Sequence, residues 1–258
     1  TAQNGGWMVN PSSPGRAVEE ALGARTYVGI DFGTSTTVVS VVRLETRDCL
    51  VSRTLPIQQP EELGGSIVHH LVNTVLAWQD NKLLFGRDAY RMRQELFEGR
   101  TVFSSFKMRL GVDVGPTYPE TALPKGAHAI AIEDANDAAR EFFKALHAGI
   151  KDAVNREGLP ADLRFAVSVP ASFEANQRRD LIRNMKDAGL PADEICLIDE
   201  PNAAFLSFLH ESAREESSQI LLEQLRGLGA NILVYDFGAG TCDVSILNVR
   251  IKIGRAHV

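Results

Sequence analysis

Tyr27-Val28-Gly29-Ile30-Asp31-Phe32-Gly33-Thr34-Ser35-Thr36 and, far downstream, Ile232-Leu233-Val234-Tyr235-Asp236-Phe237-Gly238-Ala239-Gly240-Thr241 follow one plan. In each, a short apolar strand ends on an aspartate and a turn of small residues follows. A second β-rich strand then leaves the turn, Thr37–Val42 in the first copy and Val244–Val249 in the second. Strand, glycine turn and strand predict a hairpin, not the strand-to-helix crossover of a dinucleotide fold. Copies this far apart are no short solenoid period and predict two related half-domains facing one another.

The shared residue types have a common chemical use. Glycine lets successive backbone N–H groups converge on phosphate oxygens and form an anion-binding nest. Thr34, Ser35 and Thr241 add hydroxyl donors. Asp31 and Asp236 are poor direct phosphate ligands, but they suit hydrated Mg²⁺, a hard cation that keeps several waters. Either turn alone is an ordinary Asp-Xaa-Gly turn; the pair is what points to a phosphate site.

Composition narrows the classes further. The 258 residues are 44% hydrophobic and 23% charged, which excludes a disordered or fibrous chain. Lys and Arg number 27 against 33 Asp and Glu, and a net charge of −6 argues against a nucleic-acid partner. No apolar run reaches the roughly 18 residues of a membrane helix, so no membrane partner is expected. Cys49, Cys196 and Cys242 are too scattered for a disulfide framework, which makes a reducing, cytoplasmic compartment the expectation. His69-His70 lacks spaced carboxylates or cysteines, so no zinc site is expected there. His147 is expected at the surface or the edge of the core, and Cys242 packed under its strand.

Between the two turns the pattern alternates. Residues 1–26 read as a flexible leader with a short helix near Val18–Leu22. Strands are predicted at Ile67–Val68, Asn73–Trp78 and Lys82–Phe85, and a helix at Arg87–Glu95. Val112–Lys125 reads as loop. A long helix is predicted over Asp134–Glu157, with a core stripe of Ala138, Phe142, Leu146, Ile150 and Val154 and Gly158 as its stop. Phe165–Val169 reads as a buried strand. The next helix is expected to be capped by Ser172 and to bury Ala175, Leu181, Ile182 and Met185. Ile195–Ile198 is a strand, and Pro201 opens a helix carrying Ala204, Phe205, Phe208 and Leu209. Ile220, Leu221 and Leu225 suggest a short helical piece. Alternating β and α elements predict an α/β layer fold.

The two turns resemble the actin-like ATPase superfamily, and three further blocks resemble the seventy-kilodalton heat-shock chaperone (DnaK-like) family in particular. Phe106-Lys107-Met108-Arg109-Leu110-Gly111 is similar to its catalytic-lysine segment. Val167-Ser168-Val169-Pro170-Ala171-Ser172-Phe173 with Gln177-Arg178-Arg179 is similar to its Val-Pro-Ala strand and following helix. Ile198-Asp199-Glu200-Pro201-Asn202-Ala203-Ala204 resembles its first interlobe connection.

The resemblance implies ATP/ADP and Mg²⁺ as cofactors. Asp31 and Asp236 would hold the metal through water from opposite sides of a cleft. Gly33, Thr34 and Ser35 would border one side of the phosphates, and Gly238, Ala239, Gly240 and Thr241 the other. Lys107, taken alone an exposed helix lysine, would reach the γ-phosphate and the attacking water, and Glu200 would orient water or the metal shell. Pro170 and Arg178 would belong to a lobe-coupling surface. In the complete protein the implied partners are unfolded peptide clients, a J-domain-type cochaperone and a nucleotide-exchange factor. The implied fold is an α/β actin-like ATPase (ribonuclease H-like) fold, its first lobe at 27–198 and an interlobe connection with the start of the second lobe at 199–252.

Two features depart from the family. Ala239 replaces a usual middle glycine, and the stretch 210–230 is longer than usual. Residues 253–258 break the strand pattern, resemble translated sequencing adapter, and are expected to be a non-native tail. Because most of a second lobe is expected beyond residue 252, the 258 residues on their own are expected to be a weak or inactive ATPase. A sugar or metabolite kinase of the same superfamily, or a non-catalytic nucleotide-binding scaffold, are the alternative readings.

Overall fold

Thr26–Phe32 (β1) and Thr36–Thr46 (β2) form the antiparallel hairpin expected of the first repeat, Ile30 opposite Val39 and Phe32 opposite Thr37. Asp31 and Phe32 stay on the ladder, so the turn proper is Gly33–Ser35. The computed structural model describes residues 25–46, 49–80, 82–96, 101–112, 118, 132–212, 223, 225, 228–238 and 242–250. The Val18–Leu22 helix, Ile220, Leu221, the 253–258 tail and most of Val112–Lys125 and 210–230 lie outside them.

Short strands follow: β3 (Cys49–Thr54), β4 (Ile57–Pro60), β5 (Ser66–His69), β6 (Leu71–Asn73), β7 (Val75–Gln79) and β8 (Lys82–Phe85). Helix α1 (Arg87–Met92) stops short of the expected Glu95, and β9 (Val102–Ser104) comes after it. Strands β3, β4 and β9 are not expected from the sequence; their few residues show no alternation and are strands because partners complete their ladders. The single strand expected at Asn73–Trp78 is broken at Thr74. There the chain changes sheets, because β6 pairs with β2 whereas β7 pairs with β8 and β9.

Phe106–Arg109 is a 3₁₀ turn preceded by Ser105 in the left-handed region, φ 53°. Helix α2 (Ala135–Arg156) matches the expected span, and Asp134 caps it by accepting from the Asp137 N–H at 2.9 Å. Its whole predicted stripe is buried. β10 (Leu163–Val169) runs parallel to β1, helix α3 (Ala175–Asp187) follows, and β11 (Ile195–Asp199) runs parallel to β10. The main sheet is therefore six-stranded, β11-β10-β1-β2-β3, with β6 also on β2, and α2 packs against α3. The architecture is mixed α/β.

Two helix expectations need correction. Glu174, not Ser172, caps α3, in a capping box with Gln177. Its buried face is Asp180, Leu181, Asn184, Met185 and the following Ala188; Ala175 is exposed and Ile182 only half-buried. Helix α4 (Glu200–Ser212) buries Pro201, Phe205 and Ser212, while Ala204 and Phe208 face solvent. The second repeat forms its hairpin from β12 (Ala230–Phe237) and β13 (Cys242–Val249), Tyr235 opposite Val244. Cys242 is exposed there instead of packed beneath the strand, because its face of the hairpin has no layer over it among the described residues. His147 is buried against Phe165, their ring centroids 6.1 Å apart.

The core lies between the main sheet and α2. Phe32 and Phe143 approach to 4.9 Å and Phe106 and Phe142 to 5.7 Å between centroids, all four rings essentially inaccessible. This aromatic cluster anchors the end of β1 and the 3₁₀ turn to the same helix.

Candidate functional site

Asp31 stands at the carboxyl end of β1, and the parallel register sets it beside Ser168 of β10. The Ser168 hydroxyl donates to Asp31 Oδ1 at 2.8 Å, fixing one carboxylate oxygen. The next turn closes tightly, Gly33 N–H donating to Thr36 O at 3.1 Å. A Cβ on Gly33 would lie 2.3 Å from that oxygen, so only glycine fits.

Thr74, fully buried, holds this turn from behind. Its Oγ1 donates to Gly33 O at 2.9 Å and lies 2.9 Å from Thr37 Oγ1, while its N–H donates to Ser35 O at 2.9 Å. A threonine inside an apparent strand carries no signal of its own, so Thr74 is not legible in the sequence as part of the site.

Lys107 is the sharpest reversal of the bland expectation. It is 3% exposed, not a surface helix residue, since Phe106 draws the 3₁₀ turn into the aromatic core. Its Nζ donates to Glu200 Oε1 at 3.0 Å and lies 5.7 and 5.6 Å from the ring centroids of Phe32 and Phe173. Glu200 comes from the start of α4, directly after β11. Burial pushes its carboxyl above the ordinary carboxylate range. Lys107 opposes that by charge and hydrogen bond, and the negative charges of Asp236 and Asp31 reinforce it.

Arg178 ties this corner together. Its guanidinium donates to Asp199 Oδ1 at 2.7 Å, Phe173 O at 2.9 Å and Pro170 O at 3.3 Å. The end of β10 and the residue before Glu200 are thus joined through one side chain.

A cleft of about 530 Å³ is lined by Asp31, Gly33, Thr34, Ser35, Lys107 and Glu200 on one side and Asp236 and Gly238 on the other. The structure therefore brings these sequence-predicted residues together. Ala239, Gly240 and Thr241 lie outside the described residues. Met108, Phe173, Gln177 and Asp243 also line the cleft and had not been singled out for it. Among the described residues no three His, Cys, Asp or Glu side chains converge to hold a metal ion directly, at His69-His70 or elsewhere. No helix among them is long and apolar enough to cross a membrane.

The Hsp70 protein family model matches residues 151–257, from the end of α2 through β13. Over 239 residues the sequence is 28% identical to the chaperone protein HscA of Edwardsiella ictaluri. The chain is thus similar to the Hsp70 family over residues 151–257 and to HscA chaperones over most of its length. Identity to HscA of Escherichia fergusonii is 29% over 238 residues, and to the HscA homolog of Verminephrobacter eiseniae 28% over 239. Each alignment takes in 87% of this chain but only 33% of the other protein, so the chain spans about a third of the length of the curated relatives it matches.

Proposed function

We propose that this chain binds ATP and Mg²⁺ in the cleft and contributes to ATP hydrolysis in a chaperone of the heat-shock type. The observation that carries the reading is the convergence of Asp31, Lys107, Glu200 and Asp236 from four separate elements on one cleft. The donor set fits a hydrated cation better than a directly ligated one, since carboxylates enter from both sides without forming a three-ligand cluster among the described residues. When bound, Mg²⁺ would neutralise charge on the phosphates.

The chain's own residues would do the rest. Gly33 supplies a rigid turn whose neighbours, Thr34 and Ser35, present hydroxyls to the phosphates. Lys107, held by Glu200 and two aromatic faces, offers a fixed positive charge where the equatorial oxygens gain negative charge. Glu200 keeps that ammonium in place and can accept a hydrogen bond from the attacking water. Gly238, Ala239, Gly240 and Thr241 would close on the phosphates from the second repeat.

The reading carries the actin-like ATPase fold with it: a first lobe at 27–198 and the opening of a second at 199–252. It also carries the family's partners, peptide clients, a J-domain-type cochaperone and an exchange factor, in a cytoplasmic setting. The Hsp70 match and the buried Lys107–Glu200 pair favour this ATPase over a sugar kinase or a non-catalytic scaffold.

The test compares Mg-ADP binding by calorimetry and phosphate release from ATP in the 258-residue chain and its K107A variant. Weak turnover that K107A abolishes while binding persists supports the assignment. Equal hydrolysis by K107A would remove Lys107 from the mechanism, and absence of Mg-dependent nucleotide binding would sink the reading.

A further inference from the structure

Met108 follows Lys107 on the same 3₁₀ turn and lines the same cleft. It is 47% exposed, whereas Met92 and Met185 are 4% and 0% exposed; Met8 lies outside the described residues. Its backbone is held by two fully packed neighbours, Phe106 and Lys107, so the thioether stays at the lip of the cleft. Thr34 Oγ1 donates to Met108 Sδ at 3.5 Å. A thioether accepts weakly, so in the reduced protein this hydroxyl exchanges readily to a stronger acceptor such as a phosphate oxygen.

We propose that Met108 is an oxidation site through which peroxide-class oxidants act on the Gly33–Ser35 turn. Its consequence for nucleotide binding rests on the reading of that turn as a phosphate cradle. In the step, the sulfur lone pair attacks one peroxide oxygen, the O–O bond breaks, and the S–O bond of a sulfoxide forms. The second oxygen leaves as water, the sulfur being oxidised and the peroxide reduced by two electrons, with no net proton change. The sulfoxide oxygen is a strong acceptor projecting beyond the old sulfur position, toward Thr34. It holds the hydroxyl on the cleft wall and replaces an apolar lip with a larger polar one. Met92 and Met185 are shielded, so among the described methionines oxidation is concentrated at Met108.

The experiment treats the 258-residue chain with hydrogen peroxide, then with a thiol reductant, because Cys196 and Cys242 are also exposed. Peptide mass mapping follows oxygen addition at each methionine, and amide exchange follows residues 33–36. Mg-ADP affinity is measured before and after, and M108L is treated in parallel, each chain compared with its own untreated state. Met108 is expected to oxidise at least about tenfold faster than Met92 and Met185, as exposure dictates. Exchange at 33–36 then slows, and Mg-ADP binds about fivefold more weakly, the effect of one hydrogen bond withdrawn. Methionine sulfoxide reductase reverses both changes, and M108L shows neither. Equal oxidation of the three methionines, or an oxidised Met108 with unchanged exchange at 33–36, overturns the proposal. If exchange changes as expected but the untreated chain binds no nucleotide, the modification site stands and the nucleotide reading fails.

Discussion

Lys107 and Glu200 form a largely buried ion pair on the cleft wall, with side-chain exposures of 4% and 15%. Removing one partner of such a pair leaves the other charge buried and uncompensated, at a cost of about 3 kcal/mol. K107M is therefore expected to lower the urea midpoint of unfolding, and K107M/E200Q to regain most of the loss. K107M as stable as the parent would show that the pair is not shielded in solution. Glu200 binds its proton more readily folded than unfolded, so its contribution to stability is present below the unfolded carboxyl range and lost as pH rises through the folded value. His147 runs the other way. Burial first, and then the charge of Lys151, depress its basicity, against a raising contribution from its backbone bond to Ala188. Below about pH 6.5 the unfolded chain takes up this proton more readily than the folded one, so stability falls with acidification. Urea midpoints measured from about pH 7.5 to 5.5 are expected to fall for the parent and to change less for H147Q; parallel curves would exclude His147 as the cause.

At the scale of elements, the phosphate turn is only as rigid as the strand junction behind it. Thr74 makes three hydrogen bonds there, two of them to the carbonyls of Gly33 and Ser35. T74V keeps the shape and removes the hydroxyl, which is expected to cost about 1–2 kcal/mol and to speed amide exchange across 33–36. T74S is expected to restore slow exchange; if T74V exchanges like the parent, Thr74 does not hold the turn. The elements themselves were unequally legible. Helix α2 could be read from its stripe almost to the residue, because a long period-3.6 pattern and an Asp134 cap agree. Strands β3, β4 and β9 could not, since three to six residues hold no period and their pairing is non-local. The cap of α3 went to Glu174 and not Ser172 because the Glu174 N–H donates back to Gln177 Oε1, closing a capping box that decides where that helix starts.

Over the whole molecule, hydrophobic cover is uneven. The first repeat is packed beneath α2, but in the second Leu233, Tyr235 and Phe237 lie exposed on one face of the hairpin with Val244 and Ile246 across from them. Contiguous apolar surface of this kind promotes association. The 258-residue chain is expected to bind a hydrophobic dye and self-associate at micromolar concentration, and Y235K/I246K to reduce both severalfold. Sedimentation velocity showing a dispersed parent chain would contradict this.

The duplicated strand–Asp–Gly turn, the order of the other blocks and the long helix were determined by sequence alone, because each depends on contiguous residues and local backbone preference. Asp31 and Asp236 could be named from the same local patterns, Lys107 and Glu200 only from the resemblance of their blocks to the heat-shock chaperone family. That Lys107 is buried against Glu200, that Ser168 and Thr74 brace Asp31 and its turn, and that Met108 reaches Thr34 were decided only by tertiary structure. Those contacts join residues far apart in the chain, and side-chain burial is set by what packs above a residue, which no local pattern encodes.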